Sequence, residues 1–432
     1  MALSTQPYKG TRDFFPAVMR LRRKMFGKLA EVVESFGFEE YDGPMLEPFE
    51  LYAAKTGEEI VNQQLYWFED RGQRKVAMRP EMTPTLARMV ASQFHELPKP
   101  VRWYSIPNLW RYERPQRGRL REHWQLNVDI LGGDPLYADV EILKVAYSVM
   151  DTFGGGNQIE IRMNHRGLMD SLFKDVLGLS IDVSHQAMKA IDSRSKIGEE
   201  AYDKWLSETG LNSDQKKNLE EFFHAPFDQV RKQVPGPGSE HLQKIFNALK
   251  GTQVVKQLHY DPSIMRGMDY YTGMVFEIYD SSPENRRALF GGGRYDNLLG
   301  LFGKNELSGI GFGMGDVGLQ NFLETHAILP EVSVPIDVYV TLPDEALYST
   351  AEEVASRCRD SGLRVVTPLG AGKFGTQLKI AAKMGARFVV LLGAEELAKK
   401  RVALKNLGSG EQVEVSIDAL AEQVKKMMSE QT

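Results

Sequence analysis

The chain has 432 residues and a formal net charge of −5. One hydrophobic core does not grow to that size, so two or three domains are expected. Hydrophobic residues make up 42% and charged residues 26%, an ordinary globular balance, and any nucleic-acid partner must be met by local basic patches rather than by global charge. The one cysteine, Cys358, excludes a disulfide framework and a multi-cysteine metal site. No stretch approaches the apolar length of a membrane span. The opening MALSTQPYKGTRDFFP has no apolar run behind a basic start, so no secretory signal is expected and a cytoplasmic protein is.

The pattern begins with a helix over residues 19–36, where Met25, Leu29, Val32, Val33 and Phe36 share one face and Gly37 ends it. Residues 38–52, with Pro44 and Pro48, read as strand and turn. YWFEDRGQRKVAMRPEMTPTLARMV reads as strand, a turn at Asp70, Arg71 and Gly72, strand, then a helix capped by Thr83 with Pro84 at its first position. A helix is expected at 138–153, stopped by Gly154, Gly155 and Gly156, and then an alternating strand, IEIRMNHRG. Residues 169–253 are charged and amphipathic, with the loop PGPGS between helices, and read as a helical insertion. Strand character returns in RGMDYYTGMVFEIYD, LFGGGRYDNLLG and LSGIGFGMGDVGLQNFLETH. After a linker at 330–335, strands at 336–342, 363–367 and 387–392 alternate with helices at 345–361 and 375–384. Short strands near 402–404 and 413–415 and a last helix follow, giving a small α/β domain with a mostly parallel sheet.

The most informative stretch is RYERPQRGRLREHWQLNVDILGG, residues 111–133. Arg111, Arg114, Arg117, Arg119 and Arg121 fall within eleven residues. Behind them Trp124, Leu126, Val128 and Ile130 alternate with Gln125, Asn127 and Asp129, a strand with one apolar and one polar face. Such a pairing suits a polyanion bound beside a small polar ligand. The bland reading is a solvated loop followed by a sheet edge facing water. Against it, Pro115, Gln116 and Gly118 make a turn that keeps the arginines together, and an exposed strand face is usually richer in Thr, Lys and Ser.

Several chemistries lack support. The eight histidines form no HExxH or close pair, and neither GxSxG nor a Walker A run occurs. Cys358 lies mid-helix on an apolar face. Gly313, Gly315 and Gly318 match GxGxxG by letter, but late in their domain and not at the head of a βαβ unit. They and the run Gly291 to Gly293 read better as bare backbone under a planar ligand. Polar residues at strand ends and glycine turns are Glu81, Thr83, Arg111, Glu113, Gln125, Asp129, Arg266, Asp269, Tyr270, Tyr271 and Tyr295. Any one alone is better explained by structure, through a satisfied tyrosine or a surface ion pair, and only their joint placement points to a site.

KGTRDFFP, GFEEYDGPMLEP, RPEMTPTLAR, LWRYERPQRGRLREHWQLNVDILG, RGMDYYTGMVFE, LFGGGRYDNLL and SGIGFGMG stand in the order found in histidyl-tRNA synthetases, and the sequence resembles that family over nearly its whole length. RGMDYYTG is the most specific element. The resemblance implies an α+β fold: a class II synthetase antiparallel-sheet catalytic domain in two parts, 1–168 and 254–329, the helical insertion 169–253, and a C-terminal α/β anticodon-binding domain, 330–432. It implies ATP-dependent attachment of histidine to tRNA(His) through a histidyl-adenylate, with ATP as substrate, Mg2+ as counter-ion and a homodimer formed around Pro44. Arg111 and Arg266 take the α-phosphate, Glu113 the adenine side, and Arg119 a loop closing over ATP and the tRNA end. Glu81 and Thr83 hold the amino group of histidine and Gln125 its backbone end. Asp129 and Tyr271 flank the imidazole, with Tyr295 nearby. Lys373, Lys379, Lys383, Arg387, Lys399, Lys400, Arg401 and Lys405 become a phosphate-contacting patch for the anticodon arm. One departure stands out: the family's last motif ends in an acidic residue, an arginine and a leucine, whereas this chain has Val317 and Gly318 at the first two of these positions. That departure gives some weight to an alternative, a synthetase-like regulatory subunit of histidine biosynthesis that binds histidine and charges no tRNA. Such subunits typically lack the anticodon-binding domain and an intact RGMDYY.

Overall fold

The computed structural model describes residues 3–53, 63–265, 271–303, 306–332 and 336–430, less the side chains of 195 and 196. They separate into two units, Met1–Pro330 and Glu331–Thr432.

In the first unit, helix α1 (Pro16–Ser35) opens on a proline, which needs no hydrogen bond at that position, and buries Met25, Leu29 and Val33 at four-residue spacing. Strands β1 (Glu39–Glu40) and β2 (Leu46–Pro48) follow. The expected strand-and-turn passage then closes in a short helix, α2 (Phe49–Ala53). Strands β3 (Trp67–Glu69) and β4 (Lys75–Met78) join through a turn in which the Asp70 carboxylate accepts from Gly72 N at 2.8 Å and Arg74 N at 3.0 Å. Helix α3 (Thr83–Ser92) corrects the sequence reading: Met82 is the cap residue, without a side-chain bond, and Thr83 is the first helical residue, so its hydroxyl is not the cap. Next come β5 (Val101–Ser105), β6 (Asn108–Trp110) and β7 (Glu122–Leu131). Helix α4 (Pro135–Asp151) is capped by Asp134, which accepts from Leu136 N. Then come β8 (Ile159–His165) and α5 (Arg166–Ser171). A run of helices follows, α6 (Ile181–Ile197), α7 (Glu199–Glu208), α8 (Ser213–His224), α9 (Phe227–Gln233) and α10 (Pro237–Leu249). The last takes in most of PGPGS, because Pro237 is tolerated at a helix start. The unit ends with α11 (Val254–Gln257), β9 (Leu258–Tyr260), β10 (Met274–Asp280), β11 (Phe290–Arg294), β12 (Gly309–Gly315) and α12 (Asp316–Thr325).

These strands build a sheet in the order β1-β5-β7-β12-β11-β10-β8-β9, with β6 also on β7. It is antiparallel through its centre and parallel only at the outer pairs β1–β5 and β8–β9. Its register sorts the two faces. Val128 opposes Phe312, Phe312 opposes Gly292, and Phe276 opposes Met163, so one face is apolar; it shares a core with α1, α4 and α10. Each side chain buried there contributes roughly 1.5–3 kcal/mol. The other face carries Gln125, Asn127 and Asp129, then bare glycines, then Glu277 and Tyr279. Strand β7 lies inside the sheet between β5 and β12, which removes the reading of an edge strand facing water. A separate small sheet, β2-β4-β3, carries Leu46, Pro48, Val76, Met78 and Phe68 on one side.

The second unit runs β13 (Ile336–Val340), α13 (Tyr348–Asp360), β14 (Val365–Val366), α14 (Phe374–Lys383), β15 (Ala386–Leu391), α15 (Ala394–Ala398), β16 (Arg401–Asn406), β17 (Gln412–Ser416) and α16 (Leu420–Ser429). Its sheet order is β14-β13-β15-β16-β17. Only β14, β13 and β15 are mutually parallel; β16 and β17 join antiparallel. The expectation of a mostly parallel sheet is corrected, because the tight turn after Asn406 returns the chain beside itself. Cys358 is buried in this core, as its place on α13 implied.

Candidate active site

Strand β7 organises the site, because alternate residues along it point to the polar face. At its far end Asp129 is only 5% exposed, and the Tyr295 hydroxyl donates to its Oδ1. Burial pushes the Asp129 carboxyl up to about 7, against the Tyr295 bond, which favours the charged form. The carboxylate lies flat on the next strand. A Cβ on Gly311, its partner in register, would overlap it, so the sequence must be glycine there. The Tyr271 ring lies in the same way over Gly293, where a Cβ would come within 2.8 Å of it. Gln125 opposes Gly315 and lies beside Gly313. The glycines of β11 and β12 are thus a floor for the protein's own side chains Asp129, Tyr271 and Gln125, where the sequence reading places a planar ligand on the bare backbone.

The near end of β7 is the arginine end. The loop from Arg111 to Arg121 closes on itself: Arg111 N donates to Arg121 O at 2.9 Å, and Gln116 and Arg119 exchange backbone bonds of 2.9 and 3.0 Å. The turn at Pro115, Gln116 and Gly118 does hold the arginines together. Arg111 is anchored by its Nε to Pro80 O at 2.9 Å, directly before Glu81 and α3. That places Arg111, Glu81 and Thr83 on adjoining segments. Glu113 is paired with Arg119 at 3.5 Å, and Arg121 Nε donates to Glu113 O at 3.1 Å. Arg114, Arg117 and Arg119 are exposed. Arg266, Asp269 and Tyr270 lie outside the described residues.

Sequence reasoning missed His123. It is the next odd-numbered position before Gln125 and so belongs to the polar face; carrying the alternation one step further back would have found it. Burial and the charges of Arg111 and Arg12 push its imidazole down to about 3, so the ring is neutral at ordinary pH. Arg12 and Asp316 were also missed, and no spacing signals a contact 304 residues apart. Gly318 lies in the first turn of α12, where a Cβ would stand 3.3 Å from Leu289 O.

In the second unit Lys373, Lys379, Lys383, Lys399 and Lys400 are exposed, together with Leu369, Phe374 and Ile380. Arg401 is instead paired with Glu414 at 3.0 Å.

An antiparallel sheet whose polar face joins a buried, glycine-floored Asp129–Tyr295 pair to an arginine loop, followed by a small α/β unit, is the architecture of a class II aminoacyl-tRNA synthetase. Comparison with known proteins narrows this. A family model described as histidyl-tRNA synthetase matches residues 10–315, and one described as anticodon binding domain matches 337–427. The histidine–tRNA ligase of Leptospira biflexa serovar Patoc is 45% identical over 432 residues, 99% of each chain. That of Haloarcula marismortui is 38% identical over 419 residues, 95% of each. Among solved structures, histidyl-tRNA synthetase from Nostoc sp. PCC 7120 superposes with a TM-score of 0.83 at 26% identity, covering 99% of this chain and 100% of that one. An ATP phosphoribosyltransferase regulatory subunit/histidyl-tRNA synthetase from Bacillus halodurans C shares the fold, with a TM-score of 0.76 at 21% identity over 90% of this chain and 99% of that one. The chain belongs to the histidyl-tRNA synthetase family.

Proposed function

We propose that this chain attaches histidine to tRNA(His) in two steps, forming histidyl-adenylate from histidine and ATP and then passing the histidyl group to the tRNA's terminal ribose. One observation carries the reading: a single strand face joins the buried Asp129–Tyr295 pair at one end to the Arg111 loop at the other. That is a small polar-ring site and an anion site in line.

The chemistry follows from charge. Histidine's carboxylate attacks the α-phosphorus of ATP and pyrophosphate leaves. Both reactants are anionic and repel each other unless cations intervene. Arg111, held on Pro80 O, meets the charge that builds on the phosphate oxygens, and Arg266 is assigned the same task. Glu113 meets the adenine side and Arg119 closes from the exposed part of the loop. Among the described residues no group of three or more His, Cys, Asp or Glu side chains could hold a metal ion by itself. In this reading Mg2+ accompanies ATP as a counter-ion on its phosphates. Glu81 and Thr83 hold the α-amino group and Gln125 the backbone end of histidine. Asp129, Tyr271 and Tyr295 surround the imidazole. A carboxyl group that titrates near neutrality can accept from one ring nitrogen or donate to it, and a site that satisfies both nitrogens rejects side chains lacking them.

The second unit, with exposed lysines among Leu369, Phe374 and Ile380, suits unstacked bases and their phosphates. The outer face of the β2-β4-β3 sheet suits a second copy: Leu46 and Phe68 stand on it at 45% and 47% exposure. No helix among the described residues is long and apolar enough to cross a membrane, and a cytoplasmic site of action fits this reading.

The deciding measurement is exchange of pyrophosphate into ATP with histidine and with other amino acids. Histidine-dependent exchange is expected. Its absence in folded protein would leave the regulatory-subunit reading, which the anticodon-binding match at 337–427 disfavours. Arg266→Ala is expected to abolish exchange while leaving the melting temperature unchanged.

A further inference from the structure

Two loops, not one, edge the arginine end of the sheet. Gln125, near the start of β7, opposes Gly315 at the end of β12. Met314 of β12 opposes Phe290 at the start of β11, and Phe290 opposes Ile278 near the end of β10. The β10–β11 connection, residues 281–289, therefore leaves the sheet at the same end as the loop from Arg111 to Arg121. Two strand intervals separate β7 from β11, roughly 10 Å.

Helix α12 ties these loops together. The Thr325 hydroxyl accepts from Arg117 at 3.4 Å and from Asn285 Nδ2 at 3.2 Å. Arg117 also pairs with Glu284 at 3.8 Å. The 281–289 loop is itself fixed on a buried carboxylate. Asp280 accepts from Ser282 N at 2.8 Å and from Asn285 Nδ2 at 2.7 Å, and His326 Nε2 lies 2.7 Å from it. The two residues after Asn285 are Arg286 and Arg287, both exposed. Neither they nor Arg114 form an ion pair with any described residue. The exposed acids beside them are engaged: Glu284 with Arg117 and Glu324 with Gln320.

The bland account of adjacent arginines is a solvated loop. Here, however, arginines from two distant chain segments meet at one end of one sheet, on loops held by specific bonds. The exposed Arg117–Glu284 pair is of a weak kind that a phosphate can readily displace. The location names the phosphate. Arg111 seats the α-phosphate at this end, so the terminal ribose of the tRNA must come here to take the histidyl group. The duplex behind that ribose stays outside the sheet, over the loops that edge it. Guanidinium groups spread over that width suit successive backbone phosphates, which position a nucleic acid without reading its bases.

We propose that Arg286 and Arg287 hold the sugar-phosphate backbone of the tRNA acceptor arm, as the side of a cradle opposite the arginine loop. The proposal rests on the reading that this chain charges tRNA(His).

The test uses the full-length protein and two reactions, because pyrophosphate exchange needs no tRNA and aminoacylation does. The variants are the double substitutions Arg286→Gln with Arg287→Gln, and Arg286→Lys with Arg287→Lys. The glutamine pair is expected to raise KM for tRNA(His) about ten-fold or more. Its KM values for ATP and histidine in exchange should stay within about two-fold, with an unchanged melting temperature. The lysine pair, which keeps the point charges, is expected to recover most of the loss. A minihelix of the acceptor arm alone should lose affinity in filter binding by the same factor as the whole tRNA. The slope of its log affinity against log salt should fall by about one for each phosphate contact removed. A KM for tRNA within about two-fold of wild type in the glutamine pair would overturn the proposal. So would a loss seen with whole tRNA but not with the minihelix, or an equal fall in exchange and charging with a lowered melting temperature. Should the glutamine pair fail to fold, the single substitutions Arg286→Gln and Arg287→Gln decide by the same criteria. Wild-type protein without histidine-dependent exchange would defeat the underlying reading instead. Minihelix binding, which needs no catalysis, would then still decide the surface: equal affinities of wild type and the glutamine pair would overturn it.

Discussion

The two ends of one strand solve opposite problems. At Asp129 the polar face of β7 is closed, buried and floored with glycine, and its carboxylate is already bonded to Tyr295. Six residues earlier, at His123, the face meets arginines on a loop whose outer members are exposed. Selecting one small ring needs fixed, desolvated partners, because only an unpaired buried group penalises the wrong ligand strongly. Neutralising a polyanion that must enter and leave needs charge within reach and less burial. A rigid half and an open half thus share a single strand face, in line with each other.

The harshest way to break this division is to fill the floor. Gly311→Val puts a branched side chain where the Asp129 carboxylate lies. Histidine-dependent exchange is expected to vanish, and thermal unfolding should report whether the sheet survives. If the variant exchanged normally, Asp129 would not be where histidine binds. The arginine end is tested next with Arg111→Ala, expected to lower kcat/KM of exchange about 10²–10³-fold, as loss of a preorganised charge donor does. The effect should appear for every ATP concentration below saturation and leave the melting temperature within a few degrees.

How much of this was legible beforehand follows the same division. The alternation Gln125, Asn127, Asp129 and the glycine runs located the rigid half, since a period of two and a bare backbone are local signals. Which strand pairs with which is not local, so nothing in the sequence said that Gly311 underlies Asp129 or Gly293 underlies Tyr271. The arginines announced the open half, but Arg12 and Asp316 lie 304 positions apart and meet only because α12 starts where β7 starts. Short-range chemistry misled at Thr83, where Met82 occupies the cap position, and in the C-terminal sheet, where parallel β13 and β15 did not predict antiparallel β16 and β17.

Outside the site, the exposed apolar face of β2-β4-β3 offers a test of assembly. Leu46→Glu is expected to shift a dimer toward monomer in sedimentation, with activity falling in step if the dimer is needed; an unchanged mass would remove that face as an interface. Charge introduced at the core of an apolar interface typically costs a few kcal/mol.

The finest distinction is between the Asp129 pocket as a binding feature and as a stability feature, and pH separates them. The folded carboxyl is raised to about 7 from an ordinary 3.8 by burial. The stability it contributes is therefore fully present below about pH 4 and is lost as pH rises through about 7. A shift of roughly three units corresponds to a loss on the order of 4 kcal/mol above neutrality. Asp129→Asn, which keeps an acceptor for Tyr295, should escape that loss. Its unfolding free energy is expected to match wild type near pH 4 and to exceed it at pH 8. Histidine binding should move the other way, with wild-type affinity rising between pH 6 and 8 as the carboxylate forms, and with Asp129→Asn binding weakly and with little dependence on that titration. A variant that gained no stability at pH 8 would mean that Asp129 is already ionised in the free protein, and the rigid half would then hold a charge waiting for its ligand rather than a neutral acid.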